Sequence, residues 1–233
     1  MSRSVPFTIL CAVVLFAAPA LADDVFPPPW RGLPRTVTAG WDYFGQEGLG
    51  PRHLVQTEAQ LIQANPGGFS TPWPAQAAFN SGVYCHNLLW GRQSVLEILD
   101  PTAMLGFTLA NYEGGPLKEM LIQITFRPGF GTILGFSSLS FADDPGQPPW
   151  PFPDIYEPAI VIDSFFHPDG WQTNSYRLIF EPNPSYEGFG IHFGTHDFDY
   201  PVFIDQVVID TWCIPEPASG LLLALLGLVL RRR

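Results

Sequence analysis

The sequence predicts an all-β protein, an antiparallel β-sandwich of jelly-roll type. Three observations predict it. Short segments alternate apolar and polar residues with a period of two. Glycine- and proline-rich clusters separate those segments. The stretch between two terminal tags, about 195 residues, suits one domain with a sizeable core.

Taken in order, residues 23–35 carry Pro27-Pro28-Pro29 and read as an irregular lead-in. Signals from Thr36 to Trp90 are mixed. Leu54 to Ala64 fits a short helix with Leu54, Leu61 and Ile62 on one face, and Asn65-Pro66-Gly67-Gly68 is a turn. From Ser94 onward the pattern is strand. Glu119 to Phe126 puts Met120, Ile122, Ile124 and Phe126 on one face. Ser175 to Glu181 does the same with Tyr176, Leu178 and Phe180, and Gly188 to Gly194 with Phe189, Ile191 and Phe193. Further strands are expected at Val95–Leu99, Leu105–Ala110, Ile133–Phe141, Ile160–Phe166 and Val202–Trp212. Pro128-Gly129, Asp143-Asp144-Pro145-Gly146, Pro168-Asp169-Gly170 and Pro182-Asn183-Pro184 are the turns between them. The expected ectodomain spans 36–213.

The two ends carry addresses. Arg3, an apolar core from Ile9 to Leu21 and the small-x-small site Ala20-Leu21-Ala22 make residues 1–22 a secretory signal peptide. Export through the Sec machinery and cleavage by signal peptidase after Ala22 follow. Residues 214–233 contain Pro215-Glu216-Pro217, an apolar run of thirteen residues at 218–230, and Arg231-Arg232-Arg233. As a helix the run is ~20 Å long, against ~30 Å of hydrocarbon, so it is a marginal anchor. The arginines hold its end on the cytoplasmic side. The two prolines keep the preceding stretch extended and open to a protease. In the order of these parts the tail resembles the PEP-CTERM sorting domain of Gram-negative envelope proteins. That resemblance implies recognition by an exosortase, with the membrane held through the C-terminal helix until processing, and an association with extracellular polysaccharide. An ordinary tail anchor would need a longer apolar run.

All 22 acidic residues lie between Asp23 and Pro217 with 7 of the 11 basic ones, an excess of 15 negative charges. Nucleic acid needs basic patches and is excluded as a partner; anionic lipid and acidic glycans are disfavoured. Cys85 and Cys213 survive processing, and in an oxidising compartment an even number suggests one disulfide; two buried thiols are the alternative.

Candidate chemistry is sparse. Phe203-Ile204-Asp205-Gln206-Val207-Val208-Ile209-Asp210 resembles the last strand of galactose-binding-like jelly rolls and carbohydrate-binding modules, where such an aspartate often helps hold a structural calcium. Asp197, Asp199 and Asp205 would be its carboxylates here. By strict alternation Asp205 shares a face with Phe203, Val207 and Ile209; a bulge or backbone amides would also account for it. Trp150 and Trp171, in expected loops, are the candidate sugar platforms; plugging the sandwich is the alternative. His53, His86, His167, His192 and His196 fall into no catalytic signature. The expected function is therefore that of a non-enzymatic envelope or matrix protein. A carbohydrate-binding module and a glycan hydrolase or lyase are the alternatives.

Overall fold

The computed structural model describes residues 24–65, 75–79, 82–99, 103–109, 115–127, 136–142, 160–181, 187–193 and 201–214. They form strands in antiparallel sheets and one helix. In chain order the elements are β1 (Thr36–Trp41), β2 (Gly48–Leu49), β3 (Arg52–Val55), α1 (Glu58–Ala64), β4 (Gln76–Phe79), β5 (Val83–Leu89), β6 (Arg92–Ile98), β7 (Met104–Leu109), β8 (Leu117–Arg127), β9 (Phe136–Ala142), β10 (Ile160–Phe166), β11 (Gln172–Phe180), β12 (Glu187–Phe193) and β13 (Val202–Ile214). An eight-stranded sheet runs β10-β11-β8-β13-β6-β5-β2, with β1 also on β13; a five-stranded sheet runs β3-β4-β7-β12-β9.

The thirteen-residue β13 is the spine of the large sheet. On one side it pairs with β8 from Phe203↔Arg127 to Ile214↔Leu117. On the other it pairs first with β6, through Val202 to Ile204, and then with β1, from Trp41↔Val207 to Thr36↔Trp212. Met120, Ile122, Ile124 and Phe126 of β8 and Tyr176 and Leu178 of β11 enter the core on the expected face. Ala77, Phe79, Leu105, Phe107, Leu109 and Ile191 from the small sheet join the same cluster. Trp41 tilts on Phe107 at 5.0 Å and Phe44 meets Phe79 edge-on at 5.9 Å, so aromatic contacts bridge the two sheets.

Helix α1 starts later than expected. Thr57 caps it, accepting from the Gln60 amide while Gln60 accepts from the Thr57 amide. Leu54 lies in β3 instead, and Ile62 is 55% exposed; Leu61 alone of the expected trio is buried on the helix. A seven-residue helix has room for one buried position when it only flanks β1.

β13 departs from simple alternation. Ile204 faces Phe126 and Gln206 faces Thr125, so Asp205 is the extra residue of a β-bulge. Core residues consequently step Val202, Ile204, Val207, Ile209. Alternation alone puts Asp205 and Phe203 with Val207; the bulge turns both to the outer face.

Cys85 and Cys213 are both buried thiols and form no disulfide. Cys85 pairs with Leu96, and Leu96 with Ile204, nine residues before Cys213 on β13. That is roughly 30 Å along the strand, against the ~6 Å between Cα atoms that a disulfide allows. Cys85 Sγ instead donates to the Gly45 carbonyl at 3.4 Å and lies 3.7 Å from Ser94 Oγ. Burial pushes its thiol pKa up.

Candidate functional site

The outer face of the large sheet carries two polar clusters, one at each end of β13. The first fastens the proline-rich lead-in. A turn at Pro28–Arg31 brings Arg31 over the sheet, its amide donating to the Pro28 carbonyl at 3.0 Å. Arg31 grips Asp210 with Nε at 2.7 Å and Nη2 at 2.5 Å, and also pairs with Asp24. Asp210 is 0% exposed and takes a further 2.6 Å bond from Thr38. Burial opposes the charge on Arg31, but the bonds to Asp210 and Asp24 prevail and raise its pKa. Gln123 donates to Asp24 and accepts from the Phe26 amide, and Trp30 stacks on Trp212 at 5.9 Å.

The second cluster surrounds the bulge. Arg92 reaches Asp205 with Nη1 at 2.5 Å and Asp169 with Nη2 at 3.0 Å. Desolvation raises the Asp205 pKa and Arg92 opposes it. At Asp169 burial also pushes up, but Arg92 and the Trp171 amide hold it below the usual carboxylate range. Beneath them His167 Nε2 lies 2.8 Å from Thr173 Oγ1, and burial with the nearby Arg92 charge lowers its pKa. The guanidinium also stands 4.8 Å over the Trp171 ring.

Two sequence expectations are corrected here. Trp171 is 0% exposed and plugs the cluster, so it offers no sugar platform. It follows Gly170, whose φ of +86° folds the turn back and swings the indole inward. Asp205 has its charge met by Arg92, which removes the chemical reason for a cation there. Asp197, Asp199 and Trp150 lie outside the described residues, as do Ala20, Ala22, Pro215, Glu216, Pro217, Arg231, Arg232 and Arg233.

Sequence reasoning missed Trp90. It sits at the tip of the β5–β6 hairpin, in a two-residue loop with Gly91, at φ +49° and +85°. Both signs are those of a type I′ turn, whose first position favours Asn or Gly. A tryptophan there costs roughly 1–2 kcal/mol of backbone strain. Trp90 is nonetheless 48% exposed. Arg127 stacks over it at 4.5 Å, and the ring stands edge-on to Phe203 at 4.5 Å and to Trp171 at 6.4 Å. Phe203 leads on to His86 at 6.5 Å and His86 to Tyr84 at 4.6 Å, an aromatic row crossing β13, β6 and β5. The Trp90-Gly91 dipeptide between two polar-apolar runs was the available signal. No family model, curated protein or solved structure matches this chain.

Proposed function

We propose that the chain is an exported envelope or extracellular-matrix protein of a Gram-negative-type bacterium, with a structural or adhesive ectodomain. Its two sheets pack face to face as a jelly-roll-like β-sandwich. Signal peptidase trims it after Ala22, and an exosortase acts at Pro215-Glu216-Pro217. The observation that carries this reading is where the packed structure meets the two tags. Asp24, two residues past the cleavage site, is tied to Arg31 and Gln123. At the other end β13 is paired up to Ile214, next to Pro215. A proline has no amide to continue the ladder, so the sorting motif begins where pairing through the sheet must falter. Each tag can then be removed without disturbing the core. The test is Glu216→Ala in a host with an active exosortase: the tail should stay attached and the protein membrane-bound. Maturation at the normal rate would refute the sorting role.

A second reading, binding of extracellular polysaccharide, rests on Trp90. An exposed indole held in a strained turn, with a guanidinium on one side and further rings behind it, is a surface a neutral pyranose face can stack on. The 15 excess negative charges favour a neutral glycan over an acidic one. The hydrolase reading loses ground: Asp169 and Asp205, the facing carboxylates in this cluster, share one arginine and are not poised as acid and base. Pull-down on neutral polysaccharide, with Trp90→Asn as control, tests the binding. Equal retention of both proteins would remove it.

A further inference from the structure

β10 is the outer strand of the large sheet, and among the described residues it pairs with β11 alone. An open edge is a template for another chain, and proteins blunt such edges by shortness, lysine or proline. The opposite end of this sheet follows that rule, since β2 is two residues long. β10 does not. Its seven residues, Ile160 to Phe166, contain neither lysine nor proline. Val161, Ile162, Phe165 and Phe166 are all exposed, Phe166 at 72%. One acid, Asp163, and one bulge between Val161 and Asp163 interrupt the edge, both in its first half.

The direction of the open backbone groups follows from the hairpin. The His167 amide donates to the Trp171 carbonyl at 2.8 Å, so His167 faces β11. In an antiparallel ladder successive residues point their backbone groups to opposite sides. Phe165 therefore also bonds toward β11, and Ser164 and Phe166 present amide and carbonyl to the open side. The Phe165 ring is held edge-on to His167 at 4.8 Å. We propose that this edge joins two copies of the chain, antiparallel about a two-fold axis at Phe165, so that the two large sheets become one. Ser164 of each copy exchanges ladder bonds with Phe166 of the other. Phe165 meets Phe165 across the axis as a non-hydrogen-bonded pair, with Cα atoms ~4.5 Å apart and side chains at their closest. Asp163 falls opposite His167 of the second copy, so the acid of the strand does not meet its own counterpart. A pair centred on Asp163 sets acid against acid, and one centred on Ser164 runs Phe166 into the bulge. Pro168 has no amide and ends the new ladder beyond His167.

The area sets the strength. The four exposed apolar side chains leave roughly 400 Å² of apolar surface on each copy, the size of patch that marks an interaction site. Two copies with their strand backbones bury about 1,000 Å², the lower edge of specific interfaces, so the pair is weak and reversible. The 15 excess negative charges of each copy between Asp23 and Pro217 oppose the association. Salt screens that repulsion, beyond ~8 Å at physiological ionic strength. Added salt therefore strengthens the pair, the reverse of an interface held by ion pairs.

Sedimentation and hydrogen exchange of the exported wild-type protein test it. Sedimentation should shift from monomer toward dimer between about 2 and 200 µM, and further in about 0.5 M salt. Over the same concentrations the amides of Ser164 and Phe166 should come to exchange at least about tenfold more slowly, while the Phe165 amide, bonded to β11, changes little. Phe166→Lys should abolish the dimer at an unchanged melting temperature. Phe165→Cys should form a disulfide between copies in air, and Val161→Cys should not. A monomer at every concentration overturns the proposal. So does a dimer in which Ser164 and Phe166 exchange as fast as before, or growth into open polymers. Because sedimentation and exchange are read on the wild type, a variant that misfolds leaves the result intact.

Discussion

Arg92 Nη1 stands 2.5 Å from Asp205 Oδ2 at the bulge in β13, and one guanidinium serves both that buried carboxylate and the turn that follows β10. The bulge, the turn and the Trp171 plug therefore depend on a single side chain. Arg92→Met should destabilise the fold by roughly 3–5 kcal/mol, because Asp205 is left charged and 8% exposed without compensation. Asp205→Asn should cost less, and the double variant should recover part of the loss. Urea denaturation of the four proteins measures the cycle. Strict additivity would mean that the pair contributes no coupling.

Arg31 plays the corresponding role at the other end of β13. Asp210 is 0% exposed and accepts from Arg31 and Thr38. Arg31→Ala is expected to cost about 3–5 kcal/mol and to release the lead-in from the sheet. Asp24→Asn, at the more exposed end of the same arginine, should cost about 1 kcal/mol or less. Hydrogen exchange at the amide of Phe26 would register the release, since it is bonded to Gln123 of β8 only while the segment is docked. Unchanged protection in Arg31→Ala would show that Trp30 stacked on Trp212 holds the segment by itself.

The strands that were legible in the sequence are those whose two faces meet different surroundings throughout. β8 and β11 alternate because one side enters the shared core and the other does not, and β10 was bounded correctly at Ile160–Phe166 by its flanking prolines. β1 and β5 were missed. Thr36–Trp41 does alternate, Val37, Ala39 and Trp41 against Thr36, Thr38 and Gly40, but six residues with an alanine and a glycine among them give a weak strand signal. Val83–Leu89 becomes exposed toward the Trp90 hairpin and carries apolar Leu88 and Leu89 on that open end, which breaks the pattern. The sites failed for a different reason. One inserted residue at Asp205 reverses the phase of β13, and local sequence does not announce a bulge. Trp171 follows turn residues, yet its burial is decided by Arg92, seventy-nine positions earlier in the chain.

The two tryptophans of the bulge cluster should separate stability from binding. Trp171→Ala opens a cavity under Arg92 and is expected to cost about 3–5 kcal/mol. Trp90→Asn loses contacts with Phe203 and Arg127 but relieves the left-handed strain, so its stability should stay within about 1 kcal/mol of wild type. If the hairpin tip binds polysaccharide, retention falls at least tenfold in Trp90→Asn while the melting temperature barely moves. Loss of both together would assign Trp90 a packing role only.

Lys118 predicts an unusual pH dependence. Its pKa is about 8 in the folded chain and 10.5 ordinarily. Below about 8 both states hold the proton and the folded state bears the full cost of burying the charge. Between 8 and 10.5 the unfolded chain keeps the proton that the folded chain has released, so stability rises with pH across that window. The whole span is worth about 3 kcal/mol. Tyr176, pushed up to about 12 by burial, and Cys85, raised for the same reason, lose stability as pH climbs through their ordinary values and oppose the trend. Comparing wild type with Lys118→Met cancels those contributions. The methionine variant should be the more stable near pH 7, and its advantage should shrink by about 3 kcal/mol as pH approaches 10.5. An advantage that stays constant with pH would mean that Lys118 keeps its proton in the folded chain.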